Sequence, residues 1–210
     1  MRLNNHDLIF VILVGGKSSR MGEDKAFLPI GKKSNFVMIL IKKIYFFTNK
    51  IFISLKQNQS ILYDNWFPKD SIIFDQDNNL KGPLCGLLST YQFLKNKNIN
   101  YKAIFVLAVD TPYIRLKSIF RLIETFQKNP KSEGVFYVSK NGVEPLCAIY
   151  NRFTLESWSD ENKHNQMFDF SLQKRINNIK ENSIFLELPK NEERFMQNIN
   201  TKEDLKLFQK

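Results

Sequence analysis

Residues 8–31 read LIFVILVGGKSSRMGEDKAFLPIG and carry the strongest structural signal in the chain. Residues 8–14 are uniformly apolar, the pattern of a strand buried on both faces, as in a parallel sheet. The run is far too short to cross a bilayer. Asp7 precedes it and no small-residue cleavage site follows, so it makes a poor signal peptide. These features lead to the expectation of a cytoplasmic protein without a membrane segment.

The pattern repeats along the chain. Apolar or β-branched runs at 50–55, 71–74, 103–109, 135–138 and 146–150 read as strands. Helical stretches are expected at 34–47, with Ser34 as a possible N-cap, and at 83–94, where Pro83 suits a first helical position. Further helices are expected at 116–127 and from Thr201 to about Lys210, opened by the capping-box spacing of Thr201 and Asp204. Strands alternating with helices predict βαβ units. The expected fold is α/β: a single Rossmann-like domain with a mostly parallel twisted sheet and helices on both faces. At 210 residues, and with no repeat or low-complexity linker, one domain suffices.

In such sheets ligands bind outside the carboxyl ends of the strands. The segment 15–31 that follows the first strand holds four of the chain's eight glycines, with Lys17, Arg20 and Lys25 among them. Glycines let successive backbone N–H groups approach a phosphate chain, and the cations supply charge. Two common phosphate loops are absent. A P-loop ending at Gly16-Lys17-Ser18 would need glycine where Val11 stands, and no G-x-G-x-x-G occurs. Asp75 follows the third strand, ahead of Gly82-Pro83-Leu84-Cys85-Gly86. Asp110 ends the central strand before Thr111-Pro112, a reasonable place for a Mg²⁺ ligand.

The net charge is +10, from 31 Lys+Arg against 21 Asp+Glu. Lys outnumbers Arg 24 to 7 and there are 22 Asn, a bias that AT-rich coding alone produces. The basic residues form no single stripe, and no helix-turn-helix, zinc finger or RNP-like strand accompanies them. A non-catalytic nucleic-acid-binding protein is therefore the less favoured reading. Cys85 and Cys147 sit in apolar surroundings without C-x-x-C, which predicts buried thiols in a reducing compartment.

The segment LVGGKSSRMGEDKAFLPIG resembles the signature L-x-G-G-x-S-x-R-M-G-x-D-K of molybdenum cofactor guanylyltransferases, within the wider nucleotidyltransferase group. Asp75 with GPLCGL (82–87), VDTPYI (109–114), EPLCAIY (144–150) and NINTKEDL (198–205) agree in order and rough spacing. The resemblance implies a nucleotide-binding half over about 1–115 and an acceptor half over about 116–210. It implies GTP and molybdenum-bound molybdopterin as substrates, Mg²⁺ as cofactor and a monomer with transient contact to proteins that deliver molybdopterin or mature molybdoenzymes. By the same resemblance Leu13, Val14, Gly15, Gly16, Ser54, Asp75 and Gly82 would bind the nucleotide, Ser54 standing where relatives often carry asparagine. Lys25, Arg20 and Asp110 would be catalytic, with Asp110 the metal ligand. Pro145, Asn198 and Asn200 would face molybdopterin. At 161–168, where relatives carry an arginine, the run is ENKHNQMF and Lys163 is the available cation. The nearest alternatives are a cytidylyltransferase of the same cofactor, against which Gly15 stands where cytidylyl relatives tend to carry alanine, and a sugar-phosphate nucleotidyltransferase.

Overall fold

A computed structural model describes residues 7–15, 24–31, 33–76, 80, 82–164 and 170–208. In chain order its strands are β1 (Leu8–Leu13), β2 (Pro29–Ile30), β3 (Ser34–Asn35), β4 (Ile51–Leu55), β5 (Ile72–Phe74), β6 (Ala103–Ala108), β7 (Gly134–Ser139), β8 (Gly142–Asn151) and β9 (Ile184–Glu187). The helices are α1 (Phe36–Ile44), α2 (Ser60–Asp64), α3 (Pro83–Asn96), α4 (Leu116–Lys128), α5 (Arg152–Lys163), α6 (Leu172–Asn178), α7 (Lys190–Glu193) and α8 (Lys202–Leu207).

Seven strands form one sheet in the order β5-β4-β1-β6-β8-β7-β9, and β2 pairs with β3 in a small separate hairpin. β1 lies parallel between β4 and β6, with Leu13 opposite Ser54 on one side and Ala108 on the other. β8 alone runs against its neighbours, antiparallel to both β6 and β7. The expected mostly parallel sheet is thus present, with one reversed strand that the sequence reading did not foresee.

Every residue of β1 is buried, and the strand's two-residue period divides the core into two layers. Phe10, Ile12 and Val14 join Phe36, Val37 and Leu40 of α1 and Ile119, Leu122 and Ile123 of α4 on one face. Ile9, Val11 and Leu13 join Leu84, Leu87 and Leu88 of α3, Leu155 and Trp158 of α5, and Ile176 of α6 on the other. Helices therefore cover both faces, as expected. Cys85 and Cys147 are buried, also as expected, and no disulfide joins them. Among the described residues no helix is long and apolar enough to cross a membrane.

Several boundaries differ from the sequence reading. Ser34 and Asn35 both pair in the hairpin, with Ile30 and Pro29, and the cap of α1 is Asn35, whose side chain accepts from Met38 N–H at 3.0 Å. The helix ends at Ile44 and gives way to a turn, although Phe47 beyond it is buried. α8 opens with the expected capping box: Thr201 Oγ1 accepts from Asp204 N–H at 3.1 Å, and Asp204 Oδ2 accepts from Thr201 N–H at 2.8 Å. It closes at Leu207.

Candidate active site

The carboxyl ends of β1, β4 and β5 bring Leu13, Ser54 and Asp75 side by side. Val14 N–H donates to Ser54 O, and Asp75 N–H to Leu55 O, each at 2.9 Å, so the ladder continues just past the strands. Ser54 Oγ donates to Asp75 Oδ1 at 3.3 Å. Burial raises the Asp75 carboxyl above its ordinary range, against the opposing pull of the Ser54 hydroxyl and the Lys56 charge.

Helix α3 packs against these strand ends. Gly82 caps it with φ +65° and ψ −153°, a conformation open to glycine and strained for other residues, and Pro83 follows at the first helical position. One turn on, a Cβ at Gly86 would stand 2.8 Å from Ser54 Oγ and 3.2 Å from Leu13 Cδ2. A Cβ at Gly15 would stand 3.5 Å from Asp75 Oδ2, so the backbone at Gly15 lies directly beside Asp75. Of the sequence candidates, Leu13, Val14, Gly15, Ser54 and Asp75 come together here, and Gly82 caps α3 one turn before Gly86. Gly16 and Arg20, with Lys17, lie outside the described residues.

Asp110 stands beyond the end of β6. Its Oδ1 is buried without a hydrogen-bond partner among the described residues, and Oδ2 lies 3.7 Å from Lys25 Nζ. Burial raises the Asp110 carboxyl, and the Lys25 charge opposes that shift. A buried, unpaired carboxylate oxygen is a fitting ligand for a hard cation. Among the described residues no group of three or more His, Cys, Asp or Glu could hold a metal ion.

Two devices fix this pair in place. The segment after Asp110 is tied to α1 by Lys43, whose ammonium donates to Pro112 O at 2.6 Å and to Ile114 O at 2.7 Å. Burial lowers Lys43 to about 8. Lys25 opens a short 3₁₀ turn capped by Asp24, which accepts from Ala26 N–H at 3.0 Å, Gln59 Nε2 at 2.7 Å and Tyr63 OH at 3.1 Å. Neither Lys43 nor Asp24 was a sequence candidate. Asp24 stands beside Lys25 inside the G-x-D-K of the signature, which was the available signal; Lys43 carried none.

On the other side of Asp110 lies a cleft of about 550 Å³. Its lining includes Pro145, Leu146, Cys147, Gln173, Asn198 and Asn200, so the three candidates for the acceptor side share one cavity. The reversed strand explains why. Between β7 and β8 the register jumps from Phe136 opposite Ala148 to Tyr137 opposite Glu144, leaving residues 145–147 as a bulge. Proline is tolerated in a sheet at such a place, and Tyr150 OH anchors it by donating to Pro145 O at 2.8 Å. Lys163 is not among the lining residues; it is exposed on α5, 3.7 Å from Asp160. Residues 165–168 of that same segment lie outside the described residues.

Two hydrogen bonds join the segment 199–200 to Lys25 and Asp110. Lys25 Nζ donates to Asn200 Oδ1 at 2.6 Å, and Ile199 N–H donates to Asp110 O at 2.7 Å.

Comparison with known proteins gives the family and the likeness of fold. The family model described as the MobA-like NTP transferase domain matches residues 10–175. A molybdenum cofactor guanylyltransferase of Campylobacter jejuni subsp. doylei is 29% identical, covering 81% of this chain and 83% of that protein. Its namesake from Campylobacter jejuni subsp. jejuni is 30% identical, covering 72% of this chain and 71% of that protein. Among solved structures, molybdopterin-guanine dinucleotide biosynthesis protein A from Archaeoglobus fulgidus superposes with a TM-score of 0.70 at 16% identity, over 94% of this chain and 95% of that one, a likeness of fold. The chain belongs to the MobA-like NTP transferase family and is a nucleotidyltransferase.

Proposed function

We propose that this enzyme transfers GMP from GTP to the terminal phosphate of molybdenum-bound molybdopterin and releases pyrophosphate. The observation that carries the reading is the meeting of Lys25, Asp110 and Asn200 between the ends of the parallel strands and the cleft at the bulge of β8. A transfer between two substrates needs two adjoining sites with the charged groups at their junction.

In this reading Leu13, Val14, Gly15, Gly16, Ser54, Asp75 and Gly82 hold the nucleotide, within a nucleotide half ending near residue 115. Pro145, Asn198 and Asn200 hold the pterin within the remaining half. The Asp75 carboxylate accepts hydrogen bonds from the nucleoside, and Lys25 and Arg20 balance the charge of the triphosphate. The acceptor phosphate is already anionic near neutral pH, so its attack on the α-phosphorus requires no strong general base. As the bond from the acceptor oxygen to the α-phosphorus forms, the α–β bridging bond breaks and its electrons leave with pyrophosphate. Lys25 stabilises that departing charge. Asp110 would hold Mg²⁺, which when bound supplies Lewis-acid polarisation of phosphate oxygens.

A thermal-shift panel with GTP, CTP, ATP and UTP, each with Mg²⁺, tests the nucleotide. Ligand binding to the folded state raises its stability by mass action, so selective stabilisation by GTP is expected. Selective stabilisation by CTP would give the cytidylyl alternative instead.

A further inference from the structure

Asn200 lies among the residues that line the acceptor cleft, yet the polar contact its side chain makes points the other way. Its Oδ1 accepts from Lys25 Nζ at 2.6 Å, across 175 residues of sequence. The backbone at Asn200 is held on both sides. Ile199 N–H donates to Asp110 O at 2.7 Å. Asn200 N–H and Thr201 N–H both donate to Asp204 Oδ2 at 2.8 Å. These backbone hydrogen bonds, that from Asn200 foremost, hold the Asp204 carboxyl below its ordinary range, so the anchor stays ionised.

We propose that Asn200 is a positioning residue for Lys25, aiming its ammonium at the triphosphate and linking the acceptor cleft to the nucleotide pocket. The proposal rests on the nucleotide-site reading of Lys25 and goes beyond it by giving an acceptor-side residue a role in phosphate binding. The chemistry of the side chain suits that role. A carboxamide oxygen is a neutral acceptor: it directs the ammonium while leaving its full positive charge for an anion. A carboxylate in its place would direct the ammonium equally well and also neutralise it. Lys25 already has the Asp110 carboxylate at 3.7 Å and the charge of Asp204 within reach, so a further carboxylate in direct contact would add to the negative charge around it. Because binding couplings are reciprocal, an acceptor that engages Asn200 changes nucleotide affinity, and nucleotide changes acceptor affinity by the same factor.

The probe is inorganic tripolyphosphate, which carries neither base nor pterin, titrated calorimetrically into the full chain. Asn200→Ala should weaken its binding by about tenfold, the size of losing a hydrogen bond to a charged group. Asn200→Asp, isosteric and able to keep the packing, should weaken it at least as much. In a Lys25→Ala background the Asn200→Ala change should add nothing further. Wild-type affinity in Asn200→Ala, wild-type affinity in Asn200→Asp, or an equal loss with and without Lys25 would each overturn the proposal, as would a wild-type chain that does not bind tripolyphosphate. Guanine preference does not enter this experiment. A chain that shows the predicted variant pattern but prefers CTP keeps this role for Asn200 and loses the guanylyl reading.

Discussion

Lys25 Nζ and Asp110 Oδ2 lie 3.7 Å apart with side-chain exposures of 17% and 21%, so the pair acts where water screens it weakly. In the proposed reaction a cation held there would meet negative charge that grows as pyrophosphate departs. Lys25→Ala should lower turnover by roughly 10²–10³, the size of losing one such electrostatic donor. Steady-state pyrophosphate release measures this, and unchanged turnover would remove Lys25 from the chemistry.

Asp110→Asn keeps the shape of the side chain and removes the charge that a divalent ion needs. The concentration of Mg²⁺ for half-maximal activity should rise steeply. A magnesium titration superimposable on that of the unsubstituted chain would place the metal at other groups.

Burial raises Asp75, so this carboxylate takes up its proton at a higher pH than a solvated one. Only the ionised form accepts two hydrogen bonds from a nucleoside. Nucleotide affinity should therefore fall on acidification while ordinary surface carboxylates are still charged, and Asp75→Asn should flatten that dependence. Equilibrium binding of GTP across acid pH distinguishes the two; parallel profiles would separate Asp75 from the ligand.

No room exists for a side chain at Gly86, where a Cβ would approach Ser54 Oγ to 2.8 Å and Leu13 Cδ2 to 3.2 Å. Gly86→Ala should destabilise the fold by about 1–3 kcal/mol, the usual cost of overpacking. The same push displaces Ser54 from Asp75, so nucleotide affinity should drop as well. Urea unfolding read beside a GTP titration would show both effects, and the loss of neither would mean that α3 moves away freely.

Lys43 offers a test of stability against pH. Its folded value of about 8 lies below the model-compound value of 10.5, so between these two pH values the unfolded chain holds more protons. Stability owed to this group therefore rises with pH across that interval, as the buried charge is relieved. The unfolding free energy of the native sequence minus that of Lys43→Met should increase from pH 8 to pH 10. A constant difference would show that Lys43 titrates like a solvated lysine.

Much of the site was legible before any coordinates. β1 announces itself because burial on both faces demands apolar residues at every position, and Asp75 and Asp110 follow from the rule that strand ends carry ligands. The bulge at 145–147 was not legible, because β-pairing registers are set by a partner strand that the local sequence does not contain. Helix α5 escaped notice because its buried stripe is thin: only Thr154, Leu155, Trp158 and Ser159 turn inward. Ser34 and Asn35 are both capping residue types and both pair in the hairpin, so only the helix register, seen in the bond from Met38 N–H to Asn35 Oδ1, distinguishes them. The contact of Lys25 with Asn200 has no local trace, since neither residue's neighbours register its partner.

The reversal of β8 has a consequence for how such an enzyme changes its acceptor. Residues 142–144 pair back onto 137–139, while β8 pairs with β6 only from Cys147 onward, so the tip of this hairpin is held by β7 and, through Val138, by β9. Under the proposed function, rewriting that tip would reshape the acceptor side without touching β1, β4 or β5. The acceptor side would then vary through one hairpin, while its tie to Lys25 would stay with Asn200.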